Sequence, residues 1–247
     1  MPKRAHDQAR PLTITPHYLT HPEGSCLIEM GDTKVICTAS IDERLPPWLA
    51  GKGRGWVTAE YDMLPRATDS RRQRDSHKGK PQGRTQEISR LIGRALRAAV
   101  DLTALGERGI TIDCDVIQAD GGTRTAAITG GYVALVQAIQ NHPILRKVAD
   151  KILKHSICAI SVGIVDGQPY LDLDYALDSN AHVDLNVVMT STGGLVEVQG
   201  TGESGPFDRE SFNGLLDLAL SAYPHLSRTQ QAAIDLPLQN PLASVSG

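Results

Sequence analysis

Ala119-Asp120-Gly121-Gly122-Thr123-Arg124-Thr125-Ala126 is the stretch from which the rest of the chain is read. An alternating apolar run, Ile110 to Ile117, leads into it, and a run of small and apolar residues, Ala126 to Ile139, leads out. That is strand, glycine turn, helix. Two glycines adopt backbone angles closed to other residues, so successive N–H groups can face one concavity. A helix start adds four unpaired N–H groups and a partial positive charge. Thr123 or Thr125 is placed to cap that helix, and Arg124 supplies a planar, permanently charged fork. Together they make an anion cradle suited to phosphate. The pattern is neither a Walker loop nor Gly-x-Gly-x-x-Gly. A plain turn before a helix fits the same residues, and the pattern alone leaves both readings open.

Upstream, Cys26 to Ser40 reads as two strands around a Gly31-Asp32 turn, and Gly53 to Asp62 as a third, anchored by Trp56, Val57 and Tyr61. Residues 1–23 are polar, Pro-broken and extended, and 41–52 form a loop with Pro46-Pro47. Met63 to Gly83 has no apolar periodicity and reads as a long loop. From Thr85 to Leu102 the period becomes helical, with Ile88, Leu91, Ile92, Ala95, Leu96 and Ala99 on one face and Arg90, Arg94 and Arg97 on a solvated one. Arg84 precedes that helix beside Gly83, where anions are favoured.

Downstream, residues 141–154 read as a linker. Strands follow at Ile157 to Val165 and Pro169 to Asp174, then an acidic loop from Asp178 to Asp184, then a hairpin around Gly193-Gly194. One helix is expected from about Asp208 to Ala222 and another from Thr229 to Ile234. The halves, about 10–141 and 155–225 with a tail at 226–247, read β-β-β-α-β-α and β-β-β-β-α. The expected fold is therefore α+β: one domain built from a duplicated β-rich unit ending in helix.

Charge is unevenly placed. The chain of 247 residues carries a net charge of −3. Arg66 to Arg97 carries +7 over 32 residues, leaving −10 for the other 215. A local basic field on an acidic body points to a polyanion track. No apolar run approaches the roughly 20 residues that span a bilayer. Met1 to Arg10 has no apolar core of a secretory signal, so a cytoplasmic location is expected. Cys26, Cys37, Cys114 and Cys158 lie in or beside apolar runs without metal-ligand spacing, and read as buried free thiols.

Asp172, Asp174, Asp178 and Asp184 fall within thirteen residues. Hard cations such as Mg²⁺ take carboxylate oxygens together with water and substrate phosphate. Asp178 and Asp184 bracket a loop entering a strand, so both can turn to one site, either holding a metal together or dividing metal binding and proton transfer. Asp172 and Asp174 share a strand face, where ordinary hydrogen bonding is the alternative. Gly202-Glu203-Ser204-Gly205-Pro206 is only half a nucleophile elbow, because Pro206 stands where the second glycine belongs.

Several ordered runs resemble the bacterial ribonuclease PH family. They include Gly55-Trp56-Val57-Thr58-Ala59-Glu60-Tyr61, Met63-Leu64-Pro65-Arg66, Gly83-Arg84-Thr85-Gln86-Glu87-Ile88 and Gln118 to Ala126. Leu185-Asn186-Val187-Val188-Met189-Thr190 and Val196-Glu197-Val198-Gln199-Gly200-Thr201 match as well. The resemblance spans about residues 10–225, with no departure at the positions below. It implies a ribosomal-protein-S5-like fold and a hexameric ring, a trimer of dimers. It implies phosphorolysis: inorganic phosphate, a co-substrate, attacks the 3′-terminal phosphodiester of a tRNA precursor and releases a nucleoside diphosphate, and the reverse reaction adds nucleotides. It implies phosphate binding by Arg84, Gly122, Thr123 and Arg124. Asp178 and Asp184 become the catalytic and metal (Mg²⁺) pair, and Arg66, Arg71 and Arg74 the RNA guides. No nucleotide cofactor or membrane partner is implied. Aromatic residues are scarce, at 4%, so charge is expected to dominate RNA binding. The alternatives are a non-catalytic RNA-binding ring subunit, polynucleotide phosphorylase, whose two cores and added domains exceed this length, and an RNA chaperone acting through the basic loop.

Overall fold

Period-two spacing builds both sheets. In the computed structural model, which describes residues 4–45, 47–74 and 83–237, the first sheet contains β1 (Leu12–Pro16), β2 (Gly24–Met30), β3 (Thr33–Asp42), β4 (Trp56–Met63) and β5 (Gly109–Gln118). Their order is β1-β2-β3-β5-β4, antiparallel except for the β4–β5 pair. Val35, Cys37 and Ala39 on β3, and Ile110, Ile112 and Val116 on β5, are fully buried on one face. The helix α1 (Gly83–Ala98) and the short α2 (Leu102–Leu105) form the crossover between the parallel strands.

The second sheet runs β7-β6-β8-β9, all antiparallel, from β6 (Ile157–Val165), β7 (Gln168–Leu171), β8 (Val183–Thr190) and β9 (Leu195–Gly202). On β6 nearly every residue of ICAISVGIV is buried, because both faces are covered. On one side lies α3 (Thr123–Asn141), and on the other α6 (Arg209–Ile234). The layers are thus first sheet, α1 with α3, second sheet, α6.

The helix α3 is buried from Thr125 to Ile139 without a break, so its small residues matter. A Cβ on Gly130 would stand 2.8 Å from Ile28 Cγ2 and 2.9 Å from Cys37 Sγ, and hydrogen alone lets the helix approach the first sheet this closely. On the other side Thr129 Oγ1 accepts from Ala159 N at 3.1 Å. Gln230 of α6 donates to Thr129 O and Ile157 O at 2.9 and 2.8 Å, which locks three layers with buried, satisfied bonds. The four cysteines are free and buried, and burial pushes the Cys158 thiol up to about 12.

Several sequence expectations are corrected. Residues 12–16, expected to be merely extended, pair with β2 as β1. The expected linker 141–154 holds a 3₁₀ turn, Leu145–Val148, and the short helix α4 (Ala149–Ile152), pinned by buried Leu145 and Ile152. The expected strand Pro169 to Asp174 stops at Leu171. The acidic stretch after it begins with a further helical turn, α5 (Tyr175–Asp178), because Asp174 Oδ1 caps it by accepting from Leu177 N at 2.9 Å. The two expected C-terminal helices are one, with Pro224 inside it. Buried Ala222, Leu226 and Ala233 keep both arms of α6 on the body, outweighing the proline. Pro46, residues 75–82 of the expected loop, residues 1–3 and the end of the tail, 238–247, lie outside the described residues.

Candidate active site

The turn between β5 and α3 is held from three sides. Gly121 and Gly122 have φ of +70° and +64°, the left-handed region that favours glycine. Thr33, at the start of β3, accepts from Asp120 N at 2.9 Å and donates to Gly121 O at 2.6 Å. Thr123 Oγ1 meets the Tyr61 hydroxyl of β4 at 2.8 Å. The expected threonine cap is not made. The N-cap is Gly122 with no side-chain bond, and Thr125 Oγ1 donates to Gly122 O at 2.9 Å. The first N–H groups of α3 are thereby left without a side-chain cap at a helix start.

The third support comes from the other half of the chain. Asp172 is fully buried, and Arg10 is 6% exposed. Arg10 N and Nε donate to Asp172 Oδ2 at 2.8 and 2.9 Å, and Nη2 donates to Oδ1 at 2.7 Å. The same guanidinium donates to the Asp120 carbonyl. It therefore ties the glycine turn to the 172–174 segment. A Cβ on Gly121 would stand 2.6 Å from Leu173 O and from Asp174 C, so the two backbones touch. Of the two alternatives left open for Asp172 and Asp174, hydrogen bonding is the one observed.

This contact closes one side of a cleft of about 1010 Å³. Arg84, Gly122, Thr123, Arg124, Asp178 and Asp184 all line it. They come from the first turns of α1 and α3, the end of α5 and the start of β8. Arg84 stands inside the first turn of α1 rather than before it. Arg66, Arg71 and Arg74 do not line the cleft; they are exposed on the segment leading away from β4. That segment is less loop-like than expected. Leu64 N donates to Val116 O at 2.9 Å, Arg72 N to Pro65 O at 2.8 Å and Ala119 N to Ala67 O at 2.8 Å.

Arg124 is aimed by its neighbours. Its Nη1 donates to Gln199 Oε1 at 3.1 Å and lies 3.5 Å from Glu87 Oε1. Gln199 Nε2 is shared between Glu87 and Glu197, each at 3.3 Å. Glu197 receives both Arg94 donors, Nη2 at 2.6 Å and Nε at 3.0 Å. Arg94 is thus not simply solvated, and neither is Arg97, which lies 4.4 Å over the Trp56 ring and donates to Val57 O at 2.8 Å.

On the acidic side, burial raises the pKa of Asp178, with Arg84 and Arg124 opposing it. Burial also raises Asp184, and the charges of Asp178 and Glu203 push it further. Asp178 is exposed to the cleft and Asp184 is half-buried. Asp184 Oδ1 is buried and has no hydrogen-bond partner among the described residues. An orphaned carboxylate oxygen beside a second carboxylate suits a hard divalent cation. No group of three or more acidic, His or Cys residues among the described residues forms a metal site, so substrate and water oxygens would complete the coordination.

Basic and acidic walls facing one cleft invite comparison with known proteins. Two models of the 3′ exoribonuclease family match, domain 1 over residues 8–139 and domain 2 over 155–222. The chain belongs to the 3′ exoribonuclease family. Within it, the chain is 55% identical to ribonuclease PH of Mycolicibacterium gilvum over 235 residues, 95% of this chain and 90% of that one. The fold resembles rice (Oryza sativa) Rrp46, with a TM-score of 0.75 at 19% identity over 94% of this chain and 98% of that one. It also resembles the Archaeoglobus fulgidus exosome with RNA bound to the active site, with a TM-score of 0.74 at 21% identity over 91% and 90% of the two chains. Both 3′ exoribonuclease family domains contribute to the cleft, the first its arginines and glycine turn, the second its aspartates.

Reading the sequence missed Arg10, Thr33, Tyr61, Gln199 and Tyr175. Tyr61 and Gln199 lie in quoted runs, but nothing local in them announces Thr123 as the partner of Tyr61 or Arg124 as the partner of Gln199.

Proposed function

We propose that the protein is a phosphate-dependent 3′→5′ exoribonuclease that trims the 3′ ends of tRNA precursors. The convergence of Arg84, the Gly122–Arg124 turn and the Asp178/Asp184 pair on one cleft carries the reading. Inorganic phosphate sits at the start of α3, facing backbone N–H groups and the two arginines. Their positive charge offsets the repulsion between this nucleophile and the anionic phosphodiester. A phosphate oxygen bonds to the terminal phosphorus, and the bond from that phosphorus to the 3′ oxygen of the preceding nucleotide breaks. The products are a nucleoside 5′-diphosphate and an RNA one nucleotide shorter. The departing 3′ oxygen takes a proton, from water or from a carboxyl of the pair that is not engaged by the metal. A Mg²⁺ ion held by Asp178 and Asp184 would add positive charge beside the transferring phosphoryl group. No covalent nucleophile is needed.

Arg66, Arg71 and Arg74 guide the incoming strand by charge, which their exposure allows. The active form is a homo-hexamer, a trimer of dimers, in the cytoplasm, and light scattering tests the assembly. Among the described residues, no helix is long and apolar enough to cross a membrane. Incubation of a short single-stranded RNA with protein and Mg²⁺, with and without phosphate, tests the reaction. Nucleoside diphosphates are expected only with phosphate. Monophosphates released equally without it would make the protein a hydrolase.

A further inference from the structure

One wall of the cleft carries a side chain that the chemistry above does not use. Tyr175 lines the cleft beside Gly121, Asp178 and Ser179, and is the one aromatic residue to do so among the described residues. It is 65% exposed, so no described residue covers most of it.

Its backbone is fixed. Tyr175 N donates to Asp120 Oδ1 at 3.3 Å, and its carbonyl accepts from Ser179 N at 3.0 Å. A Cβ on Gly121 would lie 2.8 Å from Tyr175 N, so the glycine turn presses directly against it. Tyr175 and Asp178 stand three residues apart on α5, and residues at that spacing are neighbours on one helix face, with Cβ atoms roughly 5–6 Å apart. An amphipathic ring is thus held at the edge of a charged cleft that the acidic pair also lines.

A nucleobase is the chemical partner that fits. Contacts to phosphate engage only the backbone of a strand, so its unpaired bases are left to other surfaces. Stacking on an aromatic face tolerates any base, which suits an enzyme that meets a new 3′-terminal base after every cycle. We propose that Tyr175 is a base-stacking residue for the last nucleotides of the RNA, holding the strand while its terminal phosphodiester lies between the glycine turn and the aspartates. This rests on the reading of the cleft as a phosphorolytic RNA site.

The experiment measures binding without phosphate, so that it is separate from turnover. Short fluorescent RNAs are used, intact or lacking one base at each of the last three positions. Tyr175→Ala is expected to bind intact RNA about tenfold more weakly, and Tyr175→Phe to bind like the parent. For one abasic position the parent should lose the same factor, and Tyr175→Ala should lose nothing more. In turnover the KM for RNA rises and that for phosphate does not. Unchanged binding of intact RNA by Tyr175→Ala overturns the proposal, as does equal weakening on every abasic RNA. Failure of the phosphorolytic reading looks different, because the parent would then release no diphosphates at all.

Discussion

Arg10 and Asp172 form a buried bidentate ion pair, 2.7 Å at its shorter limb, that joins the N-terminal segment to the entrance of the acidic loop. Removing one partner strands the other charge in the interior. Arg10→Ala is expected to lower unfolding free energy by about 3–5 kcal/mol, measured by denaturant titration. Because Arg10 also holds the Asp120 carbonyl, surviving folded protein should show a raised KM for phosphate. A loss below 1 kcal/mol would show that the pair is not the joint between the halves.

Arg124, proposed to bind phosphate, is held by Gln199 at 3.1 Å. Arg124→Ala is expected to cut kcat/KM for phosphate by about 10²–10³, while RNA affinity changes far less. Gln199→Ala should raise the KM for phosphate in the same direction but less, because Glu87 still holds the guanidinium. Equal loss of phosphate use and RNA binding in Arg124→Ala would place that arginine on the RNA instead.

The proposed role of Asp184 ties turnover to acidity. Its carboxyl and that of Asp178 keep their protons to higher pH in the folded chain than in the unfolded one. The unfolded chain releases them first as pH rises, so their contribution to stability is present at low pH and lost as pH climbs through the raised range. Asp184→Asn removes that loss. It is expected to abolish turnover yet melt at a higher temperature than the parent at pH 7, without phosphate or metal. The two melting temperatures should converge near pH 3, below the ordinary carboxylate value of about 3.9. A variant with near-normal turnover would remove Asp184 from the reaction.

Gly121 has neither the backbone angle nor the room for a side chain. Gly121→Ala is expected to destabilise by more than about 1 kcal/mol and to lose phosphate affinity, since the cradle must move away from residues 173–175. Circular dichroism with thermal melting and a phosphate titration check both effects.

RNA affinity should depend steeply on salt. If Arg66, Arg71 and Arg74 each neutralise a phosphate, changing all three to Ala should reduce the slope of log affinity against log salt by about 2, at roughly 0.7 per contact on a single strand. An unchanged slope would assign them to another surface.

Local pattern was enough for most elements. The alternation of Ile110, Ile112, Cys114 and Val116 gave β5, and the face made by Ile88, Leu91 and Ile92 gave α1, because burial on one side imposes a period that sequence displays directly. Pattern marked Arg84, the glycine turn and the Asp178/Asp184 pair only as candidates with alternatives open, the resemblance supplied their expected roles, and the structure brings them to one cleft. Pattern failed where long-range packing overrides local preference. Pro224 reads as a helix stop, yet buried Leu226 and Ala233 carry α6 past it.

Most strands and helices, the uneven charge and the glycine-turn motif before α3 were legible from neighbours a few residues apart. Only the tertiary structure decided what holds that motif. Gly121 meets Leu173 and Asp174 more than fifty residues along the chain, and Arg10 reaches Asp172 from 162 residues away. Such partners leave no periodic trace, since a buried ion pair and a backbone contact between halves are fixed by how two sheets stack around α3.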